Sequence, residues 1–271
     1  MKEKTRLDLL LLELGLFPSR EQARAAIMAG EVLVDEIKID KAGAAVNPKA
    51  NIRLLGDRLP FVSRGGLKLA KAAESFALDF QDKIVLDIGA STGGFTDCAL
   101  QKGAAKVYAV DVGYNQLDWK LRSDERVIVL ERINARNLDE NIILEPVDIL
   151  VADVSFISLS IALPPAIEKL LKPGGEIAVL IKPQFEAGRD AVGKGGIVRD
   201  RAVHSLVINN VMTNFRKLAL AIQGLDFSPI TGADGNIEYL LHAVKSNIAE
   251  PEINVETIIE AAWNTHKKAP V

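Results

Sequence analysis

Apolar residues recur in two rhythms along the 271-residue chain. Over the first sixty positions the rhythm is helical and short. "TRLDLLLLELG" carries Leu7, Leu10, Leu11 and Leu14, and "SREQARAAIMAG" carries Ala23, Ala26 and Ile27 at the same three-and-four spacing. Thr5 is placed to cap the first helix, whose run ends at Gly15. Ser19 and Gln22 form a capping-box pattern that opens the second helix, and Gly30 closes it. The spacing predicts a helical hairpin with those leucines facing Ala23, Ala26 and Ile27, then short strands beginning at "EVLVD". Arg6, Arg20, Arg24 and Lys38 are left for the outside.

From residue 83 the rhythm changes to near-continuous apolar runs alternating with helical stretches. "KIVLDIGA", "AKVYAVDVG", "RVIVL", "VDILVADVS" and "EIAVLIKP" read as strands. "GGFTDCALQKG" reads as a helix closed by Gly103, and "SLSIALPPAIEKLLKPGG" as a helix and turn. Runs of this kind predict a parallel sheet covered on both faces, an α/β fold. Pro60 marks a junction. Residues 1–59 form one domain, 60–63 a linker in which Ser63 can cap the next helix, and 64–271 a second domain. The tail "EINVETIIEAAWNTHKKAP" reads as an amphipathic helix with Ile258, Ile259, Ala262 and Trp263 inward.

Composition adds little to this picture and charge adds more. With 48% apolar and 25% charged residues the chain is that of an ordinary soluble protein. It holds no membrane-length apolar run, and charges of both signs at its start argue against a secretory signal. One cysteine, Cys98, excludes an internal disulfide and suits a reducing cytoplasm. The three histidines have no metal-ligand spacing, and no metal is expected. Net charge is −3, yet residues 1–72 hold 13 Lys/Arg against 9 Asp/Glu, and residues 73–271 hold 20 against 27. A basic front suits a polyanion met at the N-terminal end, although charge alone equally allows a solubility accident.

In a parallel α/β sheet, ligands bind beyond the carboxyl ends of the strands. There the first strand gives "VLDIGASTGGFTD", in which Gly89, Gly93 and Gly94 let the backbone turn and approach a ligand. Ser91 stands where a dinucleotide fingerprint needs glycine, which argues against a dehydrogenase. Asp111, at the end of the second strand, can accept both hydroxyl protons of an adenosine ribose. Lys182 ends the last strand of this set, where a lysine is rarely buried unless paired.

Two resemblances organise these residues. Arg-Leu-Asp, Ser-Arg, Ala-Arg and Ala-Gly-x-Val-x-Val, over roughly residues 5–55, resemble the αL module, a small α+β RNA-binding domain first described in a ribosomal small-subunit protein. The likeness implies RNA contact through Arg6, Arg20, Arg24 and Lys38. The family often has Asn-Gly where this chain has Asp35-Glu36, which weakens the positive field there. Asp87-x-Gly89-x-x-x-Gly93 resembles the first motif of S-adenosylmethionine-dependent methyltransferases. That implies cofactor contacts from Asp87, Gly89, Ser91, Gly93, Gly94 and Phe95, with Asp111 on the ribose and Asn134 beside the adenine. Lys68, Asp153, Lys182 and Glu238 match, in order, the tetrad of the FtsJ superfamily of ribose 2′-O-methyltransferases. With "SRGGLKL", "DVSFISL" and "IKPQFE", nearly all of residues 5–245 resemble the TlyA family, rRNA ribose methyltransferases often labelled haemolysins.

The resemblance implies a Rossmann-like methyltransferase domain with a mostly parallel seven-stranded sheet and one late antiparallel strand that starts at Glu238. It implies methyl transfer from S-adenosylmethionine to a ribose 2′-hydroxyl, a cytidine's, in ribosomal RNA or ribosomal subunits. Lys182 then either takes the hydroxyl proton or only orients the group. Asp153 and Glu238 fix the lysines, and Lys68 holds the nucleotide. The segment "PQFEAGRDAVGKGGIVRD" is either a lid, with Phe185 stacking on the target base and Arg189 or Lys194 on phosphate, or plain flexible chain. Two other functions remain as expectations to be tested: a pore-forming haemolysin, and a non-catalytic RNA-binding assembly factor.

Overall fold

The computed structural model describes residues 4–17, 19–35, 37–55, 59–232 and 234–266. Glu36, the Arg189 side chain and the last residues of the C-terminal segment lie outside the described residues. The chain divides into two compact units, Met1–Leu59 and Pro60–Val271.

In the first unit a two-residue strand, β1 (Thr5–Arg6), leads into α1 (Leu7–Glu13) and α2 (Arg20–Met28). Short strands β2 (Val32–Val34), β3 (Ile37–Lys38), β4 (Ala45–Val46) and β5 (Ile52–Leu54) follow. β2 is the middle of a three-stranded antiparallel sheet, and β4 pairs with β1. The expected hairpin core is present: Leu7, Leu10 and Leu11 pack with Ala23, Ala26 and Ile27. Ser19 Oγ accepts from the Gln22 backbone N–H, and Gly30 follows α2 at φ +71°.

Two expectations are corrected here. Thr5 does not cap α1; its backbone is spent pairing with Val46, and the helix starts one residue beyond Arg6. Leu14 is 51% exposed, because α1 stops at Glu13 and the chain turns before a further helical position can face α2. Asp35 takes the left-handed conformation at φ 51°, and its carboxylate accepts from the Asn51 backbone N–H at 2.9 Å. An aspartate can therefore serve this turn, where asparagine or glycine would meet the same backbone demand.

Asp8 was not singled out from sequence, yet it organises this unit's surface. Its side chain is fully buried and accepts from Arg6 Nε and Nη2 at 3.0 Å and from Arg20 Nε at 2.9 Å. The Arg6 guanidinium, then that of Arg20, hold its carboxyl down to about 2 despite burial.

The second unit opens with α3 (Gly65–Phe76), β6 (Ile84–Ile88), α4 (Gly94–Gln101), β7 (Lys106–Asp111), α5 (Trp119–Arg122) and β8 (Val127–Glu131). It continues with β9 (Val147–Ala152), α6 (Leu159–Ala162), α7 (Pro164–Lys169), β10 (Leu171–Ile181) and α8 (Pro183–Glu186). It ends with α9 (Arg201–Lys217), β11 (Leu220–Phe227), β12 (Tyr239–Lys245) and α10 (Val255–His266). The seven strands lie in the order β11-β12-β10-β9-β6-β7-β8. β6 to β10 run parallel, and β12 is antiparallel to both β10 and β11. Successive strand residues serve opposite faces: Leu86 and Ile88 join one core, Val85 the other. This explains why the strands read as unbroken apolar runs.

Sequence reading missed β11 and misdrew three other features. The helix expected over "SLSIALPPAIEKLLKPGG" is two, because Pro164 and Pro165 cannot continue the hydrogen bonding of α6 but can start α7. β10 starts already at Leu171, with a register break before Glu176. Ser63 does not cap α3; its carbonyl accepts from Gly66 N–H while its hydroxyl lies against Gly94, where an added Cβ would come within 2.3 Å. In α10, Ile259 and Ala262 are buried while Ile258 and Trp263 pack partly buried against the same core.

The Asp8 pairing fixes a direction for acid unfolding. A carboxyl held at about 2 when folded and near 4 when unfolded stabilises the folded state above pH 4, and that contribution is lost as pH falls towards 2. Asp8→Asn should lower the melting temperature at pH 7 and flatten its fall between pH 4 and 2. A variant melting as the wild type does at both pH values would remove Asp8 from the account.

Candidate functional site

The chain runs from β6 outward through β7 to β8, then returns to place β9 on the other side of β6. A crevice opens where the strand order reverses, at the carboxyl ends of β6 and β9. Two loops meet there. Gly89, at φ +84°, passes so close to β9 that an added Cβ would stand 2.7 Å from the Asp153 carbonyl oxygen. Gly94 starts α4 against α3, where a Cβ would also meet the Gly66 backbone nitrogen at 2.7 Å. The first glycine lets the β6 and β9 loops touch; the second lets the helix carrying Lys68 close down on α4.

Five side chains line up along this edge. Lys68, on the second turn of α3, is 2.7 Å from Glu238 Oε2 and 3.5 Å from Asp153 Oδ2. Asp153 Oδ1 lies 2.6 Å from Lys182 Nζ, which also donates to Ser155 Oγ at 2.8 Å. Lys68, Lys182 and Glu238 are buried. Glu238 directly precedes β12, and the antiparallel register Ile181↔Tyr239 puts it beside Lys182 at the end of β10. The residues of the expected tetrad, separated by up to 170 positions, are thus brought into one chain of alternating charge.

Two adjoining cavities flank this chain. One, of about 300 Å³, is lined by Ser63, Arg64, Lys68, Phe95, Lys182 and the 230–232 loop, among others. The other, of about 450 Å³, has apolar walls from Ile88, Val110, Ile133 and Ile157, with Asp111, Gln116 and Asn134 at its polar side. Gly89, Ser91, Asp153 and Ser155 line both. Asp111 accepts from the Ser91 and Gly113 backbone N–H groups at 2.8 and 2.7 Å. Each carboxylate oxygen keeps a second acceptor site, so the fixed group can still receive hydroxyls. Asn134 spends its side-chain oxygen on Arg136, capping a turn at the cavity wall.

Not every expected contact is on the walls. Gly94 and Phe95 line the smaller cavity, but Gly93 and Asp87 line neither. Gly93 is packed under Leu117 and Leu121. Asp87 alternates with Leu86 and Ile88, so it points towards α4, where Oδ2 accepts from Thr96 Oγ1 at 2.6 Å; it is fully buried. Its other oxygen has no hydrogen-bond partner among the described residues. Burial, reinforced by Asp153 and Asp111, pushes this carboxyl up to about 7 against the pull of Thr96.

The segment after Lys182 begins as a short helix. α8 presents Phe185 to Phe156 with ring centroids 5.0 Å apart. Glu186 accepts from Ser158 Oγ at 2.6 Å and from the Leu159 backbone N–H at 2.8 Å. Lys194 is exposed. Further along, Asn236 accepts from Val198 N–H and donates to the Gly196 carbonyl, tying the glycine-rich stretch to the segment that carries Glu238. Sequence reading overlooked Ser155, Glu186 and Asn236. Ser155 and Glu186 stand inside motifs already quoted, but their partners are 27 and 28 positions away, and no local spacing reveals them.

The larger cavity has the chemistry an adenosyl group needs: apolar walls for a flat base, and at its polar side a fixed carboxylate, Asp111, with acceptor sites left for hydroxyls. Comparison with known proteins agrees. Residues 61–245 match the FtsJ-like methyltransferase family, and residues 5–52 match the S4 domain. The chain is 49% identical to a Bacillus subtilis protein carrying a provisional rRNA-methyltransferase name, YqxC, over 99% of this chain and 98% of that one. It is 43% identical to the 16S/23S rRNA (cytidine-2′-O)-methyltransferase TlyA of Mycobacterium tuberculosis, over 89% and 90%. A Streptococcus thermophilus structure solved under a provisional hemolysin name superposes with a TM-score of 0.77 at 43% identity, covering 99% and 98%.

The buried Asp87 gives a test of the loop. A folded value of about 7 lies above the unfolded one near 4, so its contribution is complete below pH 4 and lost as pH rises through 7. Asp87→Asn should therefore gain melting temperature relative to wild type between pH 5 and pH 8. A constant offset across that range would show that the carboxyl is already ionised in the folded protein.

Proposed function

Because the chain belongs to the FtsJ-like methyltransferase family and carries an S4 domain, we propose that it methylates a ribose 2′-hydroxyl of ribosomal RNA, a cytidine's, in the cytoplasm. The relatives that share nearly its full length include one named for that reaction. The observation that carries the reading is the Ser155–Lys182–Asp153–Lys68–Glu238 chain, set between the two cavities.

S-adenosylmethionine, the methyl donor of the family, brings an electrophilic methyl on a cationic sulfur. The residues of this chain supply the rest. Asp111 and Asn134 face the larger cavity and would hold ribose and adenine, with Gly89 and Ser91 at the turn between the cavities. The target ribose enters the smaller cavity, where Lys182 meets its hydroxyl. A ribose hydroxyl is almost wholly protonated at neutral pH, so it attacks well only if held in line and relieved of its proton as it attacks. Asp153 lies between the two ammonium groups, and Glu238 holds Lys68. With two cations and two anions the group is neutral as a whole. It can then sit in a poorly hydrated cleft, where unpaired charges would be expensive.

In the first unit, Arg6 and Arg20 are held by buried Asp8, and Arg24 is exposed on the same helix as Arg20. Lys38 lies across Gly30. Guanidinium groups fixed in this way suit phosphate contacts on structured RNA, which position a substrate without reading its bases. No helix of the described residues is long and apolar enough to cross a membrane.

The test is transfer of labelled methyl from S-adenosylmethionine to ribosomal subunits that lack the modification, with the product nucleoside identified as 2′-O-methylcytidine. Wild type should transfer. Lys182→Ala should lose at least about a thousandfold in rate, while still binding S-adenosylmethionine by calorimetry. Equal rates for the two proteins, or a methyl found on a base, would overturn the reading.

A further inference from the structure

Lys182 has one tetrahedral nitrogen with three positions beyond its own carbon. Ser155 Oγ occupies one at 2.8 Å, the side-chain hydrogen bond of this nitrogen. Asp153 Oδ1, 2.6 Å away, pairs with it as a charge but outside hydrogen-bonding alignment. Asp153 and Ser155 are alternate residues beyond one strand end, and both line the two cavities. Asp153 therefore holds the nitrogen in place, and the directional Ser155 bond sets its rotation and so the directions left open to a substrate hydroxyl, whether the nitrogen carries a proton or a lone pair there. With only Asp153, the amine could rotate about its terminal bond and offer the substrate any of several directions. We infer that Ser155 is a positioning residue of the methyl-transfer reaction, setting the orientation of the Lys182 nitrogen towards the target hydroxyl; this rests on the proposed function.

The backbone around Ser155 is held in a way that a surface serine would not need. Asp153 N–H donates to the Ile88 carbonyl at 3.1 Å, fixing the turn's start to β6. Phe156, the next residue after Ser155, takes a left-handed conformation at φ 64°. A bulky aromatic residue pays for that conformation and keeps it only where its surroundings impose it. Here Glu186 grips Ser158 and Leu159 from α8, the short helix that directly follows Lys182. Serine and lysine are thus tied twice: directly, through their 2.8 Å hydrogen bond, and through the backbone, by Glu186. The Ser155 residue itself is exposed to the cavities, so its hydroxyl has no structural burial to satisfy.

The full-length protein tests this with Ser155→Ala and Ser155→Thr beside Lys182→Ala, measuring kcat, the KM for S-adenosylmethionine and the pH profile of kcat on unmodified ribosomal subunits. Losing the hydrogen bond that orients the nitrogen, with the Asp153 ion pair kept, should lower kcat about 10- to 100-fold. The KM should stay within about twofold, because the ribose and adenine contacts proposed at Asp111 and Asn134 are left intact. The midpoint of the kcat profile should shift, since the environment of the Lys182 nitrogen has changed. Ser155→Thr, which keeps the hydroxyl, should restore most of the rate. Wild-type kcat and profile in Ser155→Ala, with Lys182→Ala inactive, would overturn the role of Ser155 while leaving the proposed reaction standing. Full activity in Lys182→Ala would instead defeat the proposed reaction. If Ser155→Ala melts early, Ser155→Cys, similar in volume but a weak acceptor, takes its place and should be as slow; a wild-type rate in that variant would overturn the inference.

Discussion

Asp153 is the charge on which the site depends. Its two oxygens face two different lysines, Lys182 at 2.6 Å and Lys68 at 3.5 Å. Two ammonium groups this close would repel, and burial would strip them of the water that normally screens them. A carboxylate between them removes both costs at once. Glu238 then balances the outer lysine at 2.7 Å. The sheet itself supplies the geometry. Asp153 is the residue just beyond β9, Lys182 the one just beyond β10, and these strands are neighbours in register. β9 stops opposite Val179 and β10 runs on to Ile181, so Lys182 stands just past the level of Asp153 and its long side chain reaches back to it.

The reversed direction of β12 completes this arrangement. A strand parallel to β10 would present its first residues at the opposite edge of the sheet. Running antiparallel, β12 begins where the others end, so Glu238 arrives at the edge that carries Asp153 and Lys182. Lys68 comes from α3 rather than from a strand, and its reach depends on α3 lying close to α4. That contact is made by glycines, with no side chain at Gly94 to separate the helices. The position of one ammonium group is therefore set by a missing Cβ on a different helix from the one that carries it.

Much of this was legible in sequence, for identifiable reasons. Buried parallel strands announce themselves as apolar runs, and a lysine or aspartate ending such a run stands out against it. Lys182, Asp153 and Asp111 were visible on that ground. β11 was not, because "LAIQGLDF" is broken by Gln223 and Gly224, the place where its ladder with β12 slips register. The two short helices before β10 were blurred by a proline pair that ends one and begins the other. Asp8 escaped notice because an aspartate inside a leucine-rich helix reads as a surface residue. Its burial depends on Arg20, twelve positions on, folding back over it.

Asp87 shows where motif reading and physical reading part. As the acidic member of a glycine motif it was assigned to the ligand. In the fold, strand alternation turns it away from the cavities and towards Thr96, and burial, reinforced by Asp153 and Asp111, discourages its ionisation. A carboxyl raised towards 7 gives up its proton less readily than an exposed aspartate, and it holds α4 through the Thr96 hydroxyl rather than facing a ligand. The carboxylates at the walls are Asp111 in the larger cavity and Asp153 between the lysines. The same acidic residue type stands on a cavity wall at one strand end and is a buried structural hydrogen-bonding group in the neighbouring strand. Burial and alternation decide which, and neither is visible in a motif.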